Sequence, residues 1–164
     1  MPLLTRLRDR GLDLLAVLGG LAILTLMIHV VADVAMRNLL NQPIPATYEV
    51  VTHYYMIALA FLPLAWLERR RGMVQVEVLE PLMSPALLRL SDRFVALLST
   101  VIYAALAWVT WKTALGNYAT GTFVLAQNVA VPTWPAYFLP PLGFALAAAV
   151  TAVRILSPEQ DNPA

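Results

Sequence analysis

Glu68-Arg69-Arg70-Arg71-Gly72, near the middle of the chain, is the stretch that decides the fold. It directly follows a long apolar run that ends in Trp66-Leu67. Arginines beside an apolar run are typical of the cytoplasmic end of a membrane span, because short basic loops stay on that side of the bilayer. The stretch therefore divides the chain into two helical hairpins and orients both of them.

The composition of the chain indicates a membrane protein. Its 164 residues are 60% hydrophobic and only 13% charged, and the mean hydropathy is +0.70. Soluble domains are about 45–50% apolar and about 25% charged, so the excess apolar surface requires lipid. A formal net charge of +1 gives no electrostatic support for nucleic-acid binding. The chain has no cysteine, which excludes disulfides, thiolate metal sites and cysteine nucleophiles.

Four apolar runs are long enough to cross a bilayer, and we expect an all-α integral membrane protein. A helix satisfies all backbone polar groups within its own segment, as hydrocarbon requires. The first run exceeds the core of a signal peptide and more spans follow it, so we expect it to be retained. The predicted spans are Leu12–Met36, Tyr48–Leu67, Phe94–Leu115 and Trp134–Leu156.

The distribution of charge predicts that both termini are cytoplasmic. Nine of the 11 lysines and arginines lie in the N-terminal segment, the middle loop and the C-terminal segment. The loops Asn38–Thr47 and Gly116–Thr133 then face the outside. Amphipathic aromatic rings settle at membrane interfaces, so aromatic residues at the start of the fourth span suit the outer one. The resulting topology and interface anchors are Arg69, Arg70, Arg71, Trp134 and Tyr137.

Besides the two outer loops, three further segments lie outside the spans. Residues 1–11 place leucines at helical spacing among arginines, which fits either a short amphipathic helix on the inner leaflet or a frayed basic tail. Residues 73–93 are too polar to span and too apolar for an ordinary loop, so we expect an amphipathic interfacial arm. Within it Ser84-Pro85 is a favoured helix start, and Thr47 is expected to cap the second span. Residues 157–164 form a C-terminal tail.

The fourth span contains two features of its own. Pro140 and Pro141 each remove a backbone donor, so we expect a bend or a local opening of the helix there. Beyond them Gly143, Ala147 and Thr151 recur every four residues and form a small-residue face on which another helix packs closely. This face predicts a neighbouring helix, either in this chain or in a partner.

Ionisable side chains gather near the outer ends of the first two spans, and each needs an explanation, because a charged residue costs about 2.5–3.5 kcal/mol at a span centre on insertion scales. His29, Asp33 and Arg37 share one face of the first helix, and Glu49 and His53 share one face of the second. Because a short loop joins these antiparallel helices, the five residues lie at similar depth. They form a structural clasp, a docking surface for another subunit, or a haem site in which His29 and His53 are the axial ligands.

Catalytic motifs are absent from the sequence. It contains no nucleophile elbow, phosphate-binding glycine loop, metal-spaced histidine pair or catalytic carboxylate motif, so we expect neither enzyme activity nor a cofactor. A complete transporter carries a polar site near mid-membrane, whereas the span centres here are almost free of charge. This favours an accessory subunit, with a small membrane cytochrome and a stand-alone four-helix exporter as alternatives.

Several short motifs stand at the ends of the spans. They are Arg37-Asn38, Glu49, Arg71-Gly72, Val131-Pro132-Thr133-Trp134-Pro135-Ala136-Tyr137 and Pro141-Leu142-Gly143. These motifs resemble those of the small membrane subunit, the DctQ-like or Q subunit, of tripartite ATP-independent periplasmic (TRAP) transporters. With the chain length and the number of spans, the resemblance covers nearly the whole chain. One departure is Met73, which stands where the family often has a histidine.

The resemblance implies a role in transport. In such systems a periplasmic binding protein captures an organic acid and delivers it to a large membrane subunit of about twelve spans. The large subunit is thought to carry the substrate and sodium sites and to move the acid inward by symport, while the small subunit braces its static part. This chain is then expected to be a non-catalytic permease subunit of the bacterial inner membrane, whose partners are the large subunit, the binding protein and lipid.

Overall fold

A computed structural model of the chain describes residues 2–70, 84–126 and 128–156. These residues are mostly helical, with one two-stranded antiparallel sheet. The elements follow one another as α1 (Pro2–Leu40), α2 (Thr47–Val50), a π-helical turn (Val51–Tyr55), α3 (Met56–Phe61), α4 (Leu64–Arg69), α5 (Pro85–Thr120), β1 (Phe123–Ala126), β2 (Val129–Pro132), a 3-10 turn (Trp134–Phe138) and α6 (Leu139–Leu156).

Four helical segments are long and apolar enough to cross a membrane, so the predicted all-α fold with four spans is confirmed. The second span is built from α2, the π-helical turn, α3 and α4. It is interrupted at Pro63, which lacks a backbone donor and clashes with the preceding turn of a helix. The four segments are Asp13–Leu40, Thr47–Arg69, Ala86–Thr120 and Trp134–Ile155.

Helices α1 and α5 are longer than the predicted spans. From Pro2 onward the predicted amphipathic segment is continuous with the first span. The predicted start at Ser84-Pro85 is confirmed, because the Ser84 hydroxyl accepts a hydrogen bond from the backbone N–H of Leu87 at 3.4 Å. Residues 85–93 of the predicted arm are the first turns of α5. Residues 73–83 of the arm, Arg71 and the tail 157–164 lie outside the described residues.

A β-hairpin follows α5, and the sequence analysis did not predict it. Helix α5 is followed by Gly121, whose φ of 61° lets its N–H and that of Thr122 bond back to carbonyls of the last turn. Strands β1 and β2 then pair in antiparallel register across a two-residue connection. Asn128 in that connection has a φ of 68°, a conformation that asparagine tolerates and that tight hairpin turns require.

The hairpin packs on the start of the second span. Ala126 and Val131 form a buried apolar cluster with Ala46, and Val50 and Tyr54 pack against it. The Tyr54 hydroxyl also donates a hydrogen bond to the carbonyl of Pro132. The hairpin therefore closes the end of the bundle at which the α1–α2 loop lies.

The most extensive interface in the bundle joins α5 to α6, and α6 also packs against α3 and α4. Helix α1 makes fewer contacts, chiefly with the second span, and most of its large apolar side chains are exposed. Exposed apolar side chains on a membrane-spanning helix are solvated by lipid or by another subunit.

Candidate functional site

A cluster of polar side chains, which we name the Asp33 cluster, joins α1 to the start of the second span. Asp33 is 6% exposed, and its Oδ1 accepts hydrogen bonds from the Ile44 backbone N–H at 2.8 Å and the Thr47 hydroxyl at 3.2 Å. Its Oδ2 lies 3.0 Å from Nη2 of Arg37. A buried carboxylate requires such partners, because an unpaired one is very costly. The cluster comprises His29, Asp33, Arg37, Thr47 and Tyr55.

His29 forms a second connection within the Asp33 cluster. Its Nδ1 lies 3.3 Å from the Tyr55 hydroxyl, and its Nε2 lies 3.5 Å from the Thr47 hydroxyl. The rings of His29 and Tyr55 also meet edge to face, with centroids 5.8 Å apart. Both ring nitrogens therefore face hydroxyl groups, whereas an axial haem ligand needs one nitrogen directed at iron. The geometry favours a structural clasp over a haem site.

Glu49 and His53 stand apart from the Asp33 cluster. Both side chains are partly exposed, and in the part of the chain that the structure describes neither makes a hydrogen bond or an ion pair. Glu49 and Arg37, whose side chain is 63% exposed, line a shallow notch of about 140 Å³. The five residues that the sequence analysis grouped thus divide into a buried clasp and an exposed notch at the same end of the bundle.

Thr47 does not cap the second span, and that prediction is wrong. The N-cap residue is Ala46, which has a φ of 61° and provides no side-chain bond to the helix. The Thr47 hydroxyl instead lies 3.2 Å from Asp33 and 3.0 Å from the carbonyl of Ile44. A hydrogen bond to a charged acceptor is about twice as strong as one to a neutral partner, so the buried carboxylate outcompetes the helix end.

A second polar cluster, which the sequence analysis missed, lies at the other end of the bundle. Oε1 of Glu68 lies 3.5 Å from Nη1 of Arg154, and Oε2 accepts a hydrogen bond from the Tyr103 hydroxyl at 3.1 Å. The side chains of Arg154 and Glu68 are only 12% and 11% exposed. We name these three residues the Glu68 cluster. It joins α4, α5 and α6.

One feature of the sequence indicates that Glu68 and Arg154 lie at a common depth. Glu68 and Arg154 each end an apolar run, and the predicted topology places both ends on the same side of the bilayer. The rotation of each helix about its axis decides whether two such side chains meet, and the hydropathy pattern of a span that is apolar on every side does not determine that rotation.

The predicted interface anchors have contacts of their own. Nη1 of Arg69 lies 3.8 Å from Oδ1 of Asp13, which connects α4 to α1 beside the Glu68 cluster. The guanidinium of Arg70 lies over the Trp66 ring, 5.0 Å from its centroid. Both arginine side chains are therefore held by contacts at this end of the second span.

At the opposite end, Trp134 and Tyr137 belong to the 3-10 turn that follows the hairpin. The Trp134 ring packs edge to face on that of Tyr118, with centroids 5.0 Å apart. Pro140 and Pro141 come directly after this turn, in the first turn of α6. Helical N–H groups at that position have no partner within the helix, so the missing donors break no bond.

The small-residue face of α6 is buried within this chain. Ala147 and Thr151 are both 0% exposed. A methyl group on Gly143 would lie 2.7 Å from the carbonyl oxygen of Phe61, so α3 approaches α6 at backbone distance there. The hydroxyls of Thr100 and Thr151 lie 2.9 Å apart and connect α5 to α6. The neighbours of this face are thus α3 and α5.

Both polar clusters are paired internally. Their charged groups bond to each other and to nearby hydroxyls, and the described residues contain no group of three or more histidine, aspartate or glutamate side chains placed to hold a metal ion. What these contacts do is join helices at both ends of the bundle.

Comparison with known proteins adds one finding. The model of the family described as "Tripartite ATP-independent periplasmic transporters, DctQ component" matches residues 26–160, a range that contains both polar clusters. No curated protein and no solved structure matched the chain.

Proposed function

Because the chain belongs to the DctQ component family of TRAP transporters and is a small permease subunit, we propose that it braces the large subunit during sodium-coupled uptake of an organic acid. Subunits of this family work with a large membrane subunit and a periplasmic binding protein. In this proposal the sodium and substrate sites belong to the large subunit, and this chain is non-catalytic.

The observation that carries the bracing role is the position of the two polar clusters. The Asp33 cluster fastens α1 to the second span, and the Glu68 cluster fastens the second span to α5 and α6 at the other end. The charged groups in each cluster are paired within this chain and sit near span ends. A bundle fastened at both ends suits a static support better than a moving carrier.

The proposed orientation follows from charge. With nine of the 11 lysines and arginines on one side, both termini would be in the cytoplasm of a bacterial cell and the protein in its inner membrane. The Glu68 cluster would then lie at the inner interface, and the Asp33 cluster and the hairpin would face the periplasm. Helix α5, at 36 residues, is about 54 Å long against about 30 Å of hydrocarbon, so its first turns would extend along or beyond the inner interface.

The test is reconstitution with the natural partners. The chain is affinity-tagged and expressed with its large subunit, and the complex is placed in proteoliposomes with the binding protein. We expect the large subunit to co-elute at a constant ratio, and acid uptake to need both this chain and an inward sodium gradient. Full uptake by the large subunit without this chain would contradict the bracing role.

The same preparations separate the alternatives. A small membrane cytochrome would show a Soret band that His29→Ala removes, whereas we expect a colourless protein. A stand-alone exporter would catalyse efflux from liposomes that contain this chain alone, whereas we expect none.

Glu49 is the side chain at the exposed notch that we expect to contact the binding protein. Its carboxylate has no partner among the described residues of this chain. Glu49→Gln should slow association and weaken binding several-fold, with a reduced dependence on salt, because charges at an interface rim steer encounter. Binding to nanodisc-embedded complexes at two salt concentrations measures this.

Asp92→Asn is the matched control, since this acid lies on α5 near the opposite end of the bundle. The control should bind normally, and both variants should keep wild-type thermal stability. Wild-type affinity and transport in Glu49→Gln would remove the notch from the docking surface.

A further inference from the structure

One face of the β-hairpin is exposed and entirely apolar. Side chains alternate between the two faces of a strand, and the face opposite the buried side chain of Ala126 carries two cross-strand pairs. All four of their residues are exposed, with the two large side chains at 57% and 69%. We name these residues the outward face. They are Phe123 paired with Pro132 and Leu125 paired with Ala130.

The contacts of the hairpin place it beside the second span rather than beyond its end. Its buried side packs on Ala46, Val50 and Tyr54, which follow one another at intervals of four residues. From Ala46 to Tyr54 a helix rises about 12 Å, close to the length of a four-residue strand, which is roughly 13 Å. The outward face, on the opposite side of the hairpin, therefore points sideways from the bundle.

The turns that the hairpin covers stand at the edge of the hydrocarbon layer. The second span, Thr47–Arg69, has 23 residues, which is about 34 Å of helix against about 30 Å of hydrocarbon, so its first turns reach the headgroups. The aromatic pair of Tyr118 and Trp134, typical of this boundary, lies at the same end. A two-stranded sheet also has two open edges, whose backbone groups find water at the boundary but not in the hydrocarbon interior.

The chain around the hairpin carries no charge. From Thr113 to Val153 the sequence contains no aspartate, glutamate, lysine, arginine or histidine. A soluble partner protein is steered and oriented by charged groups at the rim of its interface. The outward face is also small, on the order of 300 Å² against ~800 Å² that each partner buries in a stable protein complex. Lipid therefore fits this face better than a folded partner does.

We propose that the outward face rests on lipid, at the boundary between headgroups and acyl chains in the leaflet at this end of the bundle. Phe123 and Leu125 insert among the upper acyl segments, as the apolar face of an interfacial helix does. The turn that contains Asn128 stays in the headgroup layer. Through its contact with Tyr54 the hairpin then fixes the start of the second span at the membrane surface. This lipid contact goes beyond bracing and does not depend on it.

Single-cysteine spin labelling of the full chain in nanodiscs tests the proposal, since the chain has no cysteine of its own. A nitroxide on Leu125→Cys or Ala130→Cys collides with oxygen in lipid and with a nickel chelate in water, and the ratio of the two collision rates reports depth. We expect this ratio to be several-fold higher at both sites than at Gln42→Cys, an exposed control in the α1–α2 loop. Val109→Cys, exposed on α5, is the hydrocarbon reference. A ratio on the hairpin equal to that at Gln42→Cys would overturn the proposal.

A second variant tests whether the apolar side chains cause the insertion. Phe123→Ser combined with Leu125→Ser makes the outward face polar, and the ratio at Ala130→Cys should then fall several-fold. Leu39→Ser combined with Leu40→Ser is the matched control, because these leucines are exposed at the end of α1 and do not belong to the hairpin. The control should keep the original ratio. An unchanged ratio in the hairpin variant would show that the bundle alone sets the depth, against the proposal.

The assembled transporter separates lipid from a protein partner. The label at Leu125→Cys is measured again after co-purification with the large subunit, with and without the binding protein, and oxygen access should persist. Loss of collisions with both reagents would show that a protein covers the outward face, and the lipid proposal would be wrong. Co-elution and uptake are scored in the same preparations. A negative labelling result with an active complex therefore leaves the proposed function standing.

Discussion

Asp33 is the residue on which the end of the bundle near the hairpin depends. Its carboxylate accepts hydrogen bonds from the Ile44 backbone and the Thr47 hydroxyl and pairs with Arg37. Asp33→Asn keeps one oxygen that can accept a hydrogen bond, but it replaces the other carboxylate oxygen with an NH2 group. That group cannot accept a hydrogen bond from the donors around Asp33. We expect a loss of about 1–3 kcal/mol in the free energy of unfolding, the usual cost of an unsatisfied buried polar group. Unfolding by SDS in mixed micelles measures it.

Arg37→Gln is the control for this variant. The Arg37 side chain is 63% exposed, and exposed ion pairs contribute about 0–1 kcal/mol. A loss of stability in Arg37→Gln equal to that in Asp33→Asn would show that the ion pair, rather than the hydrogen bonds to the loop, holds this end.

At the residue scale the sequence predicted that these polar side chains lie at a similar depth, but not which of them contact each other. Helical spacing and a short loop place His29, Asp33 and Arg37 at the depth of Glu49 and His53. This shared depth follows from the backbone and does not depend on side-chain rotamers. The competition for the Thr47 hydroxyl is decided by the burial of Asp33, a property of the folded bundle. Local capping preference therefore predicted the wrong partner.

Gly143 sets the distance between two elements, α3 and α6. A methyl group added there would lie 2.7 Å from the backbone oxygen of Phe61, which cannot rotate away. Gly143→Ala should therefore force the helices apart and cost about 1–3 kcal/mol, as overpacking does. Thermal unfolding in detergent, followed by circular dichroism, should show a lower midpoint.

Gly20→Ala provides the matched comparison. Gly20 lies in α1 with open space beside it, since no heavy atom lies within 4 Å of the position that an added methyl group would occupy. Alanine is the better helix former by about 1 kcal/mol, so we expect an unchanged or slightly higher midpoint. Equal behaviour of the two variants would show that the α3–α6 approach tolerates a wider spacing.

At the element scale, the four spans follow from hydropathy because lipid imposes the same requirement on every segment that crosses it. The hairpin lacks such a constraint. Two short apolar runs, Val124–Ala126 and Val129–Val131, flank Gln127-Asn128, a pattern typical of a two-residue turn but without the glycine that strengthens the signal. Packing against Ala46 and Tyr54 supplies the stability that two strands alone lack.

At the scale of the whole molecule, the Glu68 cluster joins the two helical hairpins. Glu68→Gln leaves Arg154 as an unpaired buried cation, and Arg154→Met leaves Glu68 as an unpaired buried anion. Each single variant should lose about 3–5 kcal/mol of unfolding free energy, and the double variant should lose much less than the sum. SDS unfolding of all four proteins completes the double-mutant cycle.

The Asp13–Arg69 contact serves as the reference pair. Its charged groups are 3.8 Å apart with side chains 59% and 28% exposed, so the corresponding cycle should give a coupling below about 1 kcal/mol. Additive losses in the Glu68–Arg154 cycle would mean that the two side chains stabilise the bundle independently.

The sequence predicts that Glu68 and Arg154 lie at a common depth, but it does not predict that they pair. Depth follows from the topology that Arg69, Arg70 and Arg71 predict. Contact depends on how α4 and α6 are rotated about their axes and on how closely the helices approach. Both are set by packing in the folded bundle, as at Gly143, where α6 approaches the backbone of Phe61.

The π-helical turn Val51–Tyr55 gives two adjacent tyrosines separate partners. Tyr54 bonds to the hairpin and Tyr55 to His29 on α1. A π-helical turn accommodates one residue more than an α-helical turn, so its presence sets the angular offset between these side chains. Without the extra residue this segment would be an ordinary α-helical turn, and the two tyrosines would lose the offset at which each reaches its own partner. The turn therefore sets how the start of the second span is aligned with both α1 and the hairpin.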